Sequence, residues 1–296
     1  MSRFLGSSLL IAAALMAFAT ASAEPEETAQ TRAAALSRSG HFAEAVLAWR
    51  EAAQAAAAAG ATRERVDALV RLADAQQALG RYADSLQTLS EAQASAGESA
   101  PAAELAAIHG AIGNAYVALG PPDKAREHLT KALELAKTAE SPALAAALLT
   151  NLGNLDASKE AYADAARSYA EAAALAAKSG DPALAARAHA NQAQAAQRAG
   201  APAAEVRAAL ARAIELADAT PDSHDKVYVL ISAGRTHARL ADLEAAHVLL
   251  RRAETMSEAI GDARAQSYAL GYLGALYQDK GRLDEARLLY ERVLAR

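Results

Sequence analysis

Residues 142–182, PALAAALLTNLGNLDASKEAYADAARSYAEAAALAAKSGDP, hold one complete unit of the chain and the start of the next. They predict one helix from Pro142 to Ser158 and a second from Tyr162 to Lys178. Ser141 stands where an N-cap side chain accepts a backbone N–H. Pro142 occupies the first turn, where its missing N–H costs nothing. Gly180-Asp181-Pro182 repeats the device: glycine ends a helix, aspartate caps the next, proline opens it. Ala100-Pro101 and Thr220-Pro221 are equivalent breaks. Within the second helix Ala165, Tyr169 and Ala172 recur four and three residues apart, one apolar face at helical spacing.

The same unit recurs along the chain. Ala52, Ala92, Ala132 and Ala172 stand forty residues apart, and after one inserted residue the series continues at Ala213, Ala253 and Val293. Tight turns are marked by Gly40, Gly80, Gly120, Gly200 and Gly281. Small residues on each first helix form a third series, Gly113, Gly153, Ala193, Gly234 and Gly274. Three series in one phase predict seven hairpins, approximately 26–60, 63–98, 101–138, 142–178, 182–218, 221–260 and 262–296. One hairpin cannot bury its apolar stripe alone, so the hairpins must stack on each other.

Composition agrees with an all-α chain. Hydrophobic residues are 53 % of the sequence but aromatics only 4 %, so alanine, the best helix former, carries much of the apolar share. The net charge of −5 comes without a basic stripe, which disfavours a nucleic-acid binder. Cysteine is absent, which removes disulfides, thiolate nucleophiles and cysteine–zinc sites together.

The motifs resemble the tetratricopeptide repeat family, whose pattern runs Trp-x2-Leu-Gly-x2-Tyr, then Ala-x3-Phe, then Pro. Ile112-Gly113-Asn114-Ala115-Tyr116 and Leu273-Gly274-Ala275-Leu276-Tyr277 match its first helix. Ala45 with Trp49, Ala125 with Leu129, Ala165 with Tyr169 and Ala286 with Tyr290 match its second. The resemblance covers residues 26–296. Units near forty residues are longer than the usual repeat and look like those of kinesin-light-chain-like arrays. It implies an all-α superhelix, a TPR-like solenoid whose concave wall is lined by the first helices, and it implies a protein or peptide partner.

Repeat phase then places candidate groove residues. Positions just past the small-residue contact are Asn114, Asn154, Gln194 and Arg235. One turn earlier lie Asn151, Asn191, Ser232 and Tyr272, and a turn before those Arg187, Tyr228 and Tyr268. Asparagine carries both a donor and an acceptor, so it can hold an extended peptide backbone without demanding a sequence. The resemblance implies that role most directly for Asn114 and Asn154, which stand in the family's Leu-Gly-Asn setting. Arg187, Arg198, Arg235 and Arg239 make the later groove basic and favour an acidic or carboxylate partner.

Catalytic signatures are missing. There is no phosphate-binding glycine loop, nucleophile elbow or His-Glu-x-x-His pair. The seven histidines are not expected to cluster: His109, His189 and His237 fall at packing positions, His41 in a turn, His224 in a loop, His128 and His247 on second helices. Glu104, Glu134, Glu215 and Asp262 read as solvated faces and caps. Neither enzyme activity nor a cofactor or metal is expected.

Residues 1–23 combine Arg3, a ten-residue apolar run from Leu9 to Phe18, and Ala21-Ser22-Ala23, the pattern of a cleaved secretory signal. Export to a periplasm or beyond is therefore expected, with no later run apolar enough to span a membrane. After the last second helix no polar capping helix follows, so self-association, a docked partner or a further domain is expected at that end. Signal-bearing arrays of this type resemble the N-terminal part of proteins that continue into a caspase-like protease. The leading expectation is an exported interaction scaffold, and the alternative is a regulatory arm of a longer exported protease or signalling protein.

Overall fold

The computed structural model describes residues 28–294, so the segment read as a signal lies outside the described residues. Among these, fourteen helices pair into seven hairpins. The first is α1 (Ala29–Arg38) with α2 (Phe42–Ala58), and the second α3 (Thr62–Ala78) with α4 (Tyr82–Ala96). The third is α5 (Ala102–Leu119) with α6 (Pro122–Thr138), and the fourth α7 (Pro142–Ser158) with α8 (Tyr162–Lys178). The fifth is α9 (Pro182–Arg198) with α10 (Ala203–Asp218), and the sixth α11 (His224–Arg239) with α12 (Leu243–Ala259). The seventh is α13 (Ala263–Asp279) with α14 (Leu283–Leu294). Each helix packs on the next in sequence, and from α3 onward successive first helices also touch.

The small residues of the first helices meet large ones of the second. A Cβ at Gly113 would lie 2.6 Å from Leu129, at Gly153 2.6 Å from Tyr169, at Gly234 2.8 Å from Leu250, and at Gly274 2.6 Å from Tyr290. Ala33 with Trp49 and Ala73 with Leu89 occupy the same places in the first two hairpins, all buried. The series seen in sequence is therefore a row of helix-crossing points, where a missing side chain lets two backbones close up.

The turns obey a backbone rule. Gly40, Gly80, Gly120, Gly200 and Gly281 all have positive φ, between 72° and 98°. Where glycine is missing from that series, Glu160 (φ 61°) and Ala241 (φ 60°) adopt the same left-handed conformation. The position, rather than the residue type, is what the fold demands.

Several local expectations need correction. Ser141 precedes α7, but its side chain makes no capping bond, and Pro142 alone sets the start. Asp181 does cap α9, accepting from the Leu184 N–H at 2.9 Å. The break at Thr220-Pro221 does not open a helix: α11 starts at His224, with Ser223 capping Lys226 N–H at 3.2 Å. His224 is thus helical rather than in a loop. Asp262 is not a solvated cap, since it is 2 % exposed and bonds both the Ala265 N–H and His224. His109 and His128 do meet, Nδ1 to Nδ1 at 3.0 Å, because α5 and α6 face each other there.

The stack also bends back on itself. α1 touches α11, and Phe42 at the start of α2 stands edge-on to His224 with ring centroids 4.9 Å apart. The first hairpin therefore meets the sixth and seventh, closing the superhelix into a ring.

Candidate groove

First helices line the inner wall of this ring, and their polar residues point into it. One concavity, about 510 Å³, is walled by α9, α11 and α13. Asn191 and Gln194 enter it from α9, Tyr228 and Arg235 from α11, Tyr268 and Tyr272 from α13. With Arg187 and Ser232, eight of the eleven phase-derived residues share this cavity. An adjoining cavity of about 220 Å³ joins Asn154 and Tyr162 to Asn191, Gln194 and Arg198.

Two of the remaining asparagines tie helices together. Asn114 Nδ2 donates to Gln77 Oε1 at 2.6 Å, and Gln77 Nε2 donates to the Ala111 carbonyl at 3.0 Å, binding α3 to α5. Asn154 Oδ1 accepts from Tyr169 OH at 2.7 Å, joining α7 to α8 across the Gly153 crossing. Asn151 sits half-buried one turn before it. Ser232 Oγ donates to Gln194 Oε1 at 3.2 Å, bridging α11 to α9 inside the groove.

Guanidinium groups here rest on tyrosine rings more than on carboxylates. Arg235 lies 4.5 Å from the Tyr272 ring centre and Arg198 5.0 Å from that of Tyr162. Arg198 also donates to Tyr162 OH at 2.8 Å. Among the described residues, Arg198, Arg235 and Arg239 have no carboxylate partner, whereas Arg187 reaches Asp225 at 3.8 Å. Burial first, and then the like charges of Arg198 and Arg235, lower the pKa of Arg239. A guanidinium held on a ring keeps its N–H fork free for an incoming acceptor. Burial raises the Tyr228 phenol to about 12, so it stays a neutral donor at any physiological pH.

Phase reasoning missed four groove residues: His224, Asp225 and Arg264, which line the main cavity, and Tyr162, which lines the smaller one. The first three sit in the opening turns of α11 and α13, ahead of the positions that repeat phase assigns to the wall. His224 and Arg264 stand forty residues apart, and that spacing was the available signal. The described residues contain no group of three or more His, Asp or Glu placed to hold a metal ion.

A ring of stacked antiparallel hairpins, with a polar and aromatic inner wall, defines the class: an α-solenoid of short helical repeats. Residues 64–138 match the tetratricopeptide repeat family model. The crossing-point series carries the same pattern to hairpins outside the matched residues, and the fold is that of a tetratricopeptide-like solenoid. No curated protein sequence matches it. Solved structures do share its fold. A Rap protein complexed with Competence and Sporulation Factor is similar at a TM-score of 0.69 and 17 % identity, over 90 % of this chain and 73 % of that one. Aspartyl phosphate phosphatase F from Bacillus subtilis gives 0.64 and 15 %, over 90 % and 68 %. BtubC from P. vanneervenii gives 0.57 and 17 %, over 74 % and 92 %.

Proposed function

We propose that this protein is an exported scaffold that holds an extended segment of a protein partner against α9, α11 and α13, without catalysis of its own. The observation that carries this is the convergence of Asn191, Gln194, Tyr228, Arg235, Tyr268 and Tyr272 on one cavity. Amide side chains can pair with a peptide backbone, tyrosines supply contact area at low entropic cost, and free guanidinium forks take carboxylates. The partner's segment is accordingly acidic. The Rap neighbour, of the same fold, is complexed with a factor of its own, which supports a binding role for such a wall. Export rests on the Arg3, Leu9–Phe18 and Ala21-Ser22-Ala23 pattern. No helix among the described residues is long and apolar enough to cross a membrane.

A second reading, the sensing arm of a larger signalling protein, is favoured by one neighbour. The STAND-type signal transduction ATPase with a tetratricopeptide repeat sensor from Pyrococcus horikoshii is similar at a TM-score of 0.62 and 16 % identity, and this chain spans 38 % of it.

The test is affinity capture from cell-envelope extract with the wild-type chain beside Arg235→Ala/Tyr272→Ala. Loss of specific captured proteins at unchanged helicity supports the groove. Equal recovery of every captured protein with both chains rules it out as the binding surface.

A further inference from the structure

Among the described residues, every interface between hairpins but one joins neighbours in sequence. The exception is the junction between the first hairpin and the sixth and seventh, and it differs in kind from the hairpin stacking. Its contacts are few: Phe42 of the first hairpin against His224 of the sixth, the Gly40 turn against Asp262, which itself holds His224 Nδ1 at 2.6 Å, and Arg264 of the seventh hairpin donating to the Ala78 carbonyl of the second. The apolar cluster of the first hairpins ends with residues of α5, and that of the later hairpins begins with Ala166 and α9. Neither crosses the junction. Two turn glycines are packed into it: a Cβ at Gly40 would lie 2.5 Å from Asp262 Oδ2, and one at Gly261 3.1 Å from His41.

We propose that the first hairpin is a clasp, whose release from α11 and α13 opens the ring and admits a partner to the groove. This rests on the groove reading above and adds its control. Two residues belong to both structures. His224 packs on Phe42 outside the groove and on Tyr228 inside it, with centroids 4.4 Å apart. Arg264 lines the groove beside Tyr268 while its guanidinium holds Ala78 of the second hairpin. A carboxylate that draws Arg264 inward takes it from Ala78, so occupancy and closure compete for one group. Linkage makes that coupling reciprocal: what loosens the clasp alters groove affinity, and the reverse. A solenoid suits such motion, because small changes at each hairpin interface add up at its ends.

The turn series supplies a matched pair of variants. Gly40 (φ 80°) and Gly80 (φ 76°) share a backbone conformation, but a Cβ at Gly80 meets nothing within 4 Å. Asparagine tolerates left-handed backbone, so Gly40→Asn wedges the junction while Gly80→Asn imposes only the common backbone cost. The chain has no cysteine, so spin labels at Ala43→Cys and Ala263→Cys report the junction directly. A separate Ser232→Cys, on the groove wall, reports access through its reaction with a bulky polyethylene-glycol maleimide.

Gly80→Asn should leave one short label distance. Gly40→Asn should give longer, broader distances and speed the bulky reagent about tenfold, with a small maleimide little changed. Phe42→Ala, which removes the ring against His224, should do the same without touching a glycine. Unchanged distances and rates in both Gly40→Asn and Phe42→Ala would overturn the clasp. Because no partner enters the measurement, that result leaves the groove reading to its own capture test.

Discussion

His109 and His128 face each other with charged neighbours Lys131, Lys124 and Glu127 close by. Burial, then Lys131 and His128, lower His109 from 6.5 to about 4, so the folded chain keeps it neutral in mild acid. The unfolded chain takes up a proton between those two values and the folded chain refuses it. Stability from this residue is therefore present above pH 6.5, is lost as pH falls toward about 4, and changes no further below that. His109→Leu should flatten the decline, measured as the denaturation midpoint between pH 7 and pH 4. A second residue-scale expectation concerns Ala241, held at φ 60° where its series has glycine. Left-handed backbone costs an alanine roughly 1–2 kcal/mol, so Ala241→Gly should stabilise by about 1 kcal/mol in urea unfolding.

At the scale of elements, the hairpin is decided where a small residue of the first helix meets a large one of the second. Gly153→Ala would press a methyl to 2.6 Å from Tyr169, and overpacking of this kind costs about 1–3 kcal/mol. Gly271→Ala is the control: it is also helical, nothing lies within 4 Å, and removing a mid-helix glycine should gain about 0.5–1 kcal/mol. Thermal unfolding of the two variants should shift in opposite directions. Such contacts were legible in the sequence because they repeat: Gly113, Gly153, Gly234 and Gly274 stand in one phase. Helix starts outside that phase were less so. Ser141 and Ser223 are both good capping residues by type, yet only Ser223 caps, since that depends on the approach angle of the loop.

For the whole molecule, the stacking order and the inner wall followed from repeat phase, and eight of the eleven groove candidates line one cavity. What phase could not carry was any contact between hairpins far apart in sequence. Curvature per unit is a small angle set by side-chain volumes, and only its sum determines whether Phe42 meets His224. His224 and Asp262 therefore read as loop and solvated cap, and Arg264 carried no sequence signal of its own, until the ring closed around them. Asn114 and Asn154 were expected to face a peptide, but their side chains tie neighbouring helices through Gln77 and Tyr169.

Ring closure has an electrostatic signature. A cavity of about 1030 Å³ lies between α1 and α3 on one side and the starts of α9 and α11 on the other. Arg38, Asp67, Arg71, Asp74, Asp222, His224 and Asp225 are the ionisable groups that line it, with Arg187 within electrostatic reach of Asp74. Crowding by these walls, opposed by Arg71 and reinforced by Asp67, raises the Asp74 carboxyl from 3.8 toward about 6, while 49 % of its side chain stays open to solvent, which damps the effect. A carboxyl raised in the fold costs stability as pH climbs from 3.8 through about 6. Asp74→Asn should thus gain a little stability at pH 7 and none at pH 3, read as the urea midpoint at the two pH values.

Hydrogen exchange of the chain, free and bound to a protein captured from the envelope, tests the central claim most directly. Slowed exchange concentrated in α9, α11 and α13, along the wall holding Asn191, Arg235 and Tyr272, is the predicted result. Slowed exchange confined to second helices such as α10, α12 and α14, with the inner wall unchanged, would contradict it.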